Sequence, residues 1–259
     1  NEFAAMDYVF VDADVTVFQG AFQLNVKRIR KADEGEYRPG DYLPVTSKDV
    51  KTMQHELTQY ITTIRNEYLR KLAAGFFMND AAFMKAFSFH SAAKSVHHGF
   101  LSGLLMHTLN MLRLADFLSA QYADTVNRSL LLTGTLLHDF AKEQEFTFSE
   151  LGLVTDYSTK GQLLGHLVMG AQEVAAIAAE LDLPEEKATL LEHLILSHHG
   201  QPEFGAAVLP QCAEAELLSL VDQIDSRMEI YREVLAPLKA GEFSQRVFAL
   251  DNRRVYKHQ

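Results

Sequence analysis

The segment LLLTGTLLHDFAK, residues 130 to 142, is close to a continuous apolar run, yet it ends on His138-Asp139. A helix that is apolar on nearly every face has to lie inside the protein. An imidazole beside a carboxylate at its inner end then needs compensation, because burying an unpaired charge costs several kcal/mol or more. A bound metal cation is the economical solution. His107 upstream, and His166, His198, His199 and Asp222 downstream, each sit in an apolar helical pattern or at the end of one.

The histidines are clustered: nine of the eleven fall between His90 and His199. In GLLMHTLNMLRLADFL, His107 shares a helix face with Leu104, Met111 and Leu114 and so points at the core. A lone histidine of this kind is most often a hydrogen-bonded core residue. The balance changes when five helices each bring such a group inward. Asp222, in LLSLVDQID, is flanked by Leu218, Val221 and Ile224 and needs a partner. Imidazole and carboxylate without thiolate suit Mn, Fe or Co first, with Mg, Ni or Zn also compatible. Seven ligands with Asp139 bridging match two divalent metal ions about 3.5 to 4 Å apart, a geometry used for phosphoryl hydrolysis.

Composition sets the frame for this site. A chain of 259 residues, 47% hydrophobic, fits one sizeable globular domain with an appendage. The single cysteine, Cys212, excludes an intrachain disulfide framework and a Cys-rich zinc site, which suits a reducing cytosol. No apolar segment reaches the roughly 18 residues of a membrane span and no signal peptide is visible, so the chain reads as cytoplasmic. The formal net charge of -10 argues against indiscriminate nucleic-acid binding. Any polyanion has to meet a local basic patch or metal ions.

Character changes near residue 46. Val9, Val11, Val15 and Val17 share one parity, Gln19-Gly20 supplies a turn, and Phe22, Leu24 and Val26 follow, which predicts a β-hairpin. Two strands make no core of their own. They either pack on the rest or end a larger β-domain, and the start at Asn1 without a methionine favours truncation. Pro39-Gly40 and Pro44 mark a linker, and Ser47 is the expected N-cap of a long helix running to about Ala74. Everything after that reads as helix, over 79–88, 90–97, 102–121, 126–142, 161–181, 185–199 and 212–238. Residues 241–259 read as a short β or extended tail packing back on the helices. The expected fold class is therefore mainly α, a helical bundle with a short N-terminal β-hairpin.

The order His107, His138-Asp139, Asp222 resembles that of the HD-domain metal-dependent phosphohydrolases, and the additional His166 and His198-His199 resemble their two-metal branch. Block after block, HHGFLSGLLMHTL, LLLTGTLLHDFAK, KGQLLGHLVMGA, HLILSHHGQPEFG and EAELLSLVDQID resemble the YhaM-type 3′-to-5′ exoribonucleases. The likeness runs over roughly residues 8 to 257. It implies His107, His138, Asp139 and Asp222 as the core metal site, with His166, His198 and His199 completing a second. In that family an OB-fold precedes the HD domain, and the hairpin with VFQGAFQLNVKRIRKA resembles its last strands. The implied domains are 1–45, the C-terminal part of an OB-fold with its linker, and 46–259, the HD domain. Cyclic-dinucleotide HD phosphodiesterases also carry paired histidines, but continue with a GYP element where this chain has Gln201-Pro202-Glu203.

Other candidates surround this set. Lys142, three residues after Asp139, can share its helix face and neutralise a scissile phosphate, or snorkel at the helix rim. His97 and His98 contact substrate phosphate or form an exposed helix end. His193, five residues before His198, is read as lying behind the ligands or in the core. Asp225 follows Asp222 by three and can orient a ligand imidazole or pair with a surface cation. Lys27, Arg28, Arg30 and Lys31 form the most basic local run, able to track a nucleic-acid backbone or to be a solvated strand edge.

The expected function is metal-assisted phosphodiester hydrolysis, with Asp139 and Lys142 as catalytic groups and no Ser or Cys nucleophile. The expected substrate, from resemblance, is the 3′ end of single-stranded RNA or short oligonucleotides. Two rivals stay open: a small-nucleotide hydrolase or phosphodiesterase, and a non-catalytic nucleic-acid-binding regulator with a relic metal site. A homo-oligomer is also left open.

Overall fold

The apolar run around Leu130 becomes the centre of the fold. A computed structural model describes residues 3, 7–18, 20–33, 35–37, 41, 48–92, 101–149 and 153–259. A hairpin of β1 (Val9–Phe18) and β2 (Ala21–Lys31) precedes the helices α1 (Val50–Thr63), α2 (Glu67–Ala74), α3 (Ala81–Phe89), α4 (Gly103–Gln121) and α5 (Arg128–Leu137). A short α6 (Lys142–Glu145) leads into a second hairpin, β3 (Phe146–Phe148) and β4 (Val154–Tyr157). Then come α7 (Thr159–Glu180), α8 (Glu185–Ser197) and α9 (Ala213–Leu235).

Every residue of α5 from Ser129 to Leu137 is buried, and α2, α4, α8 and α9 pack around it. All three of its buried hydroxyls are bonded: Thr133 donates to the Ser129 carbonyl, Thr135 to the Leu131 carbonyl, and Ser129 Oγ accepts from Asn66 N. Gly134 lets α8 come close: a Cβ there would stand 2.2 Å from Leu194 Cδ2. α4 packs on α5, α9, α3 and α1, and its Leu104, Leu105, Leu109, Met111 and Leu112 are fully buried. Each such side chain contributes roughly 1.5–3 kcal/mol of burial.

Several sequence expectations change here. The long first helix is two helices, because Asn66 accepts from Leu69 N and starts α2 afresh. Its N-cap is Asp49, which accepts from Thr52 N; the expected cap, Ser47, lies outside the described residues. The expected 126–142 helix ends at Leu137: Lys142 N bonds to the Asp139 carbonyl and Gln144 N to the Ala141 carbonyl, tightening the chain into turns. Residues 90–92 are not helical, and 93–100 lie outside the described residues. The β3–β4 pair departs from the all-helical expectation, and FTF and VTDY form it with aromatic and β-branched residues that suit strands. Residues 241–257 pair with one another through bridges Phe243↔Tyr256 and Val247↔Arg253 and return along α9, where Asp251 meets Arg227 and Lys257 Nζ the Leu235 carbonyl, with Leu250 and Val255 buried.

The N-terminal hairpin has two unlike faces. The register pairs Val11 with Ile29, Ala13 with Val26, Val15 with Leu24 and Val17 with Phe22, which puts these apolar residues on one face. That face is bare, with Phe22 83% exposed. The opposite face pairs Asp12 with Arg28, Asp14 with Asn25 and Thr16 with Gln23.

Candidate metal centre

The ends of α5 and α8 set the first imidazoles. His138 Nδ1 donates to the Thr135 carbonyl and His198 Nδ1 to the Ile195 carbonyl, each at 2.8 Å. A carbonyl only accepts, so Nδ1 carries the proton and Nε2 presents a lone pair. His107, from the buried face of α4, lies 2.8 Å through Nδ1 from Asp225 Oδ2. Its Nε2 stands 3.2 Å from His138 Nε2 and 3.3 Å from Asp222 Oδ1.

His166 is placed by a break in its helix. At Gly165, φ +72° and ψ 161° interrupt α7, a conformation open essentially to glycine. The freed His166 N–H donates to Glu145 Oε1 at 3.0 Å, and His166 Nδ1 faces the same carboxylate at 3.0 and 3.1 Å. One buried side chain therefore secures the backbone and the ring, leaving Nε2 aimed inward. α6 and α7 are also locked together at Gly161, where a Cβ would lie 2.0 Å from the Glu145 carbonyl oxygen.

Asp139 stands at the middle. Its Oδ2 lies 3.3 Å from His138 Nε2 and 3.7 Å from His107 Nε2, while Oδ1 lies 3.3 Å from His166 Nε2 and 3.6 Å from His198 Nε2. Lys142 Nζ donates to Oδ2 at 2.6 Å. Among the described residues, potential ligand atoms fall into three overlapping groups, each within 4.8 Å: His107, His138 and Asp222; His138, Asp139 and His198; His166, His198 and His199. Asp139 Oδ1, His166 Nε2, His198 Nε2 and His199 Nδ1 are buried without a hydrogen-bond partner. Imidazole lone pairs and carboxylate oxygens turned toward one another are repulsive unless a cation joins them. At metal–nitrogen bonds of about 2.1 Å, tetrahedral ligands sit about 3.4 Å apart, which these separations match. The residues present fit divalent metal.

Electrostatics agrees. Burial would raise the Asp139 carboxyl, but Lys142 and His138 hold it well below the carboxylate range. Burial opposes protonation of His107, yet Asp222 and Asp225 carry it up to about 10, so a cation taking its Nε2 would displace a proton. Burial, with His198 and His166 beside it, pushes His199 down to about 3, so its ring is neutral and able to offer a lone pair. Lys142 is raised by Asp139 against the cost of burial and stays an ammonium.

The remaining candidates lie elsewhere. His193 Nε2 accepts from Gln211 N at 2.9 Å, so it ties down the loop before α9 and does not support a ligand. His97 and His98 lie outside the described residues. On the hairpin, Lys27 pairs with Asp14 at 2.6 Å, Arg30 with Glu36 through two bonds of 2.7 and 2.8 Å, and Lys31 with Asp7 at 2.8 Å. Arg28 alone of that run forms no ion pair among the described residues. Sequence reasoning missed Glu145; the glycine directly before a histidine in KGQLLGHLV was the trace of it.

A model of the HD domain family matches residues 104–227, the stretch from α4 to Arg227 of α9 that carries all seven candidate ligands. The 3′-5′ exoribonuclease YhaM of Bacillus licheniformis is 36% identical over 250 residues, 96% of this chain and 77% of that protein. The chain belongs to the YhaM-like HD-domain phosphohydrolases. No solved structure matches it. As an HD-domain phosphohydrolase it is a metal-dependent enzyme, and His138-Asp139 lies inside the matched stretch. No helix among the described residues is long and apolar enough to cross a membrane.

Proposed function

We propose that this chain is a 3′-to-5′ exoribonuclease that removes nucleoside 5′-monophosphates from single-stranded RNA or short oligonucleotides, using two divalent ions, with Mn, Fe or Co preferred. The observation that carries the two-ion reading is the split of Asp139, whose Oδ2 faces His107 and His138 while Oδ1 faces His166 and His198. His107, His138, Asp139 and Asp222 would hold one ion, and Asp139, His166, His198 and His199 the other. Bound metal supplies Lewis-acid charge and lowers the pKa of water. The chain's own groups do the rest. Asp225, Glu145 and the Thr135 and Ile195 carbonyls hold the rings in one tautomer. Lys142 supplies a fixed positive charge for a phosphoryl oxygen. Water adds to phosphorus, and its proton ends on the departing 3′ oxygen.

The RNA substrate rests on the named activity of the Bacillus relative. Residues 1–45 are read as the C-terminal part of an OB-fold, supported by the bare apolar face of β1–β2. The reading keeps the cytoplasmic placement, which rests on a chain with one cysteine. A small-nucleotide phosphodiesterase is the second reading, favoured by the neutralised cations of the hairpin. Metal analysis with a product assay on 3′-blocked and unblocked oligonucleotides tests the proposal. Two ions per chain and cleavage of only the unblocked strand are expected; equal cleavage of both, or preference for mononucleotides, rejects it.

A further inference from the structure

An enzyme that shortens RNA gains from a surface that holds nucleotides outside its metal centre. Three of the four hairpin cations are already committed to carboxylates. The C-terminal return along α9 is different. Residues 239–259 carry five Lys or Arg against two Asp or Glu, a net of +3 in a chain of formal charge -10. Arg246 and Arg254 donate to the backbone carbonyls of Asn252 and Ser244, and among the described residues neither forms an ion pair.

Aromatic rings stand beside those charges. Phe243 is 54% exposed and Tyr256 47%, their ring centroids are 4.9 Å apart, and the Arg254 guanidinium lies 5.1 Å from the Phe243 centroid. The bridge Phe243↔Tyr256 sets the two rings side by side. Beneath them Ser244 and Val255 are buried, and Ser244 Oγ accepts from Val255 N. The platform is thus fixed from below and open above.

We propose that Arg254, Phe243 and Tyr256 form a binding platform for single-stranded RNA outside the metal centre, with Arg246 adding a phosphate contact. The inference rests on the exoribonuclease reading and names where the strand is held. Stacking on an aromatic ring tolerates every base, as an exonuclease moving through sequence requires. The return is tied to α9 by Arg227 and Asp251 at 3.0 Å. Arg227 follows Asp222 by five residues on that helix, about 7.5 Å along its axis. Lys257, next to Tyr256, donates through Nζ to the Leu235 and Leu238 carbonyls, so the segment that carries the platform is anchored along the helix that bears Asp222.

The test uses the metal-loaded protein with Phe243→Ser and Arg254→Gln combined, and Arg246→Gln alone as a variant that keeps both rings. Affinity for a phosphorothioate decamer of single-stranded RNA is read by fluorescence anisotropy across salt concentrations, beside KM for the hydrolysable decamer and turnover of a dinucleotide. The combined variant should bind the decamer about tenfold or more weakly. Each lost cation should reduce the salt slope by about 0.7, while dinucleotide turnover changes by less than about twofold. Unchanged decamer affinity and salt slope in folded variants overturns the proposal, as does an equal loss on both substrates. Lost dimer mass in light scattering with unchanged RNA affinity also overturns it and assigns the patch to a contact between copies. A wild-type protein that binds the decamer through these residues yet never shortens it rejects the exoribonuclease reading and supports the platform.

Discussion

Glu145 holds His166 twice, by its backbone N–H at 3.0 Å and by Nδ1 at 3.0 and 3.1 Å, across the break that Gly165 puts in α7. The ring's free nitrogen is thereby turned to Asp139 Oδ1, 3.3 Å away. Replacing Glu145 by Gln keeps the shape but weakens the grip on the imidazole. Metal affinity should fall about 10–100-fold, measured by competition with a chelator, with the melting temperature little changed. Unaltered affinity would remove Glu145 from the metal centre.

Gly165→Ala attacks the same device through the backbone. At φ +72° and ψ 161° a side chain is strained, so the variant should lose about 1–3 kcal/mol in urea unfolding and bind metal less tightly. A variant as stable as the parent would show that α7 can close over this break.

Asp139→Asn keeps volume and removes the charge that both ligand groups share. Phosphodiester hydrolysis should drop by orders of magnitude while helical circular dichroism is retained. Normal activity at normal metal content would disprove the bridging role.

Lys142 touches Asp139 Oδ2 at 2.6 Å and is held as an ammonium. If its charge serves mainly the transition state, Lys142→Met lowers kcat by about 10²–10³ with KM and metal content nearly constant. A change confined to KM would make it a ground-state phosphate contact.

Away from the metal centre, His90 lies flat on Phe148, with ring centroids 3.6 Å apart and 11° between planes, and its Nδ1 is buried without a partner. Burial lowers its pKa to about 4. The unfolded chain then binds more protons between about 6.5 and 4, so stability is full above that window and falls as pH drops through it. Allowing for partial exposure, the loss is on the order of 1 kcal/mol by pH 4. His90→Phe should flatten that part of the stability profile, read by urea unfolding at several pH values; an unchanged slope would refute the assignment.

Sequence alone placed His107, His138, Asp139, His166 and Asp222 in apolar helical surroundings, because helical periodicity reports which side of a helix must leave water. It likewise made the chain mainly helical and marked the first hairpin by its alternation. Periodicity carries no information about partners distant in the chain. The junction between α1 and α2, the turn that ends α5, and the β3–β4 hairpin depend on hydrogen bonds that stretches of similar composition do not need to make. Glu145 and His166, 21 residues apart, meet only because β3 and β4 fold the chain back between them. Lys27, Arg30 and Lys31 read as a free basic run until strand pairing and the turn after β2 bring Asp14, Asp7 and Glu36 to them. The convergence of Nε2 atoms on the two oxygens of Asp139 is likewise a property of the packing of α4, α5, α7 and α8, and tertiary structure alone decided it.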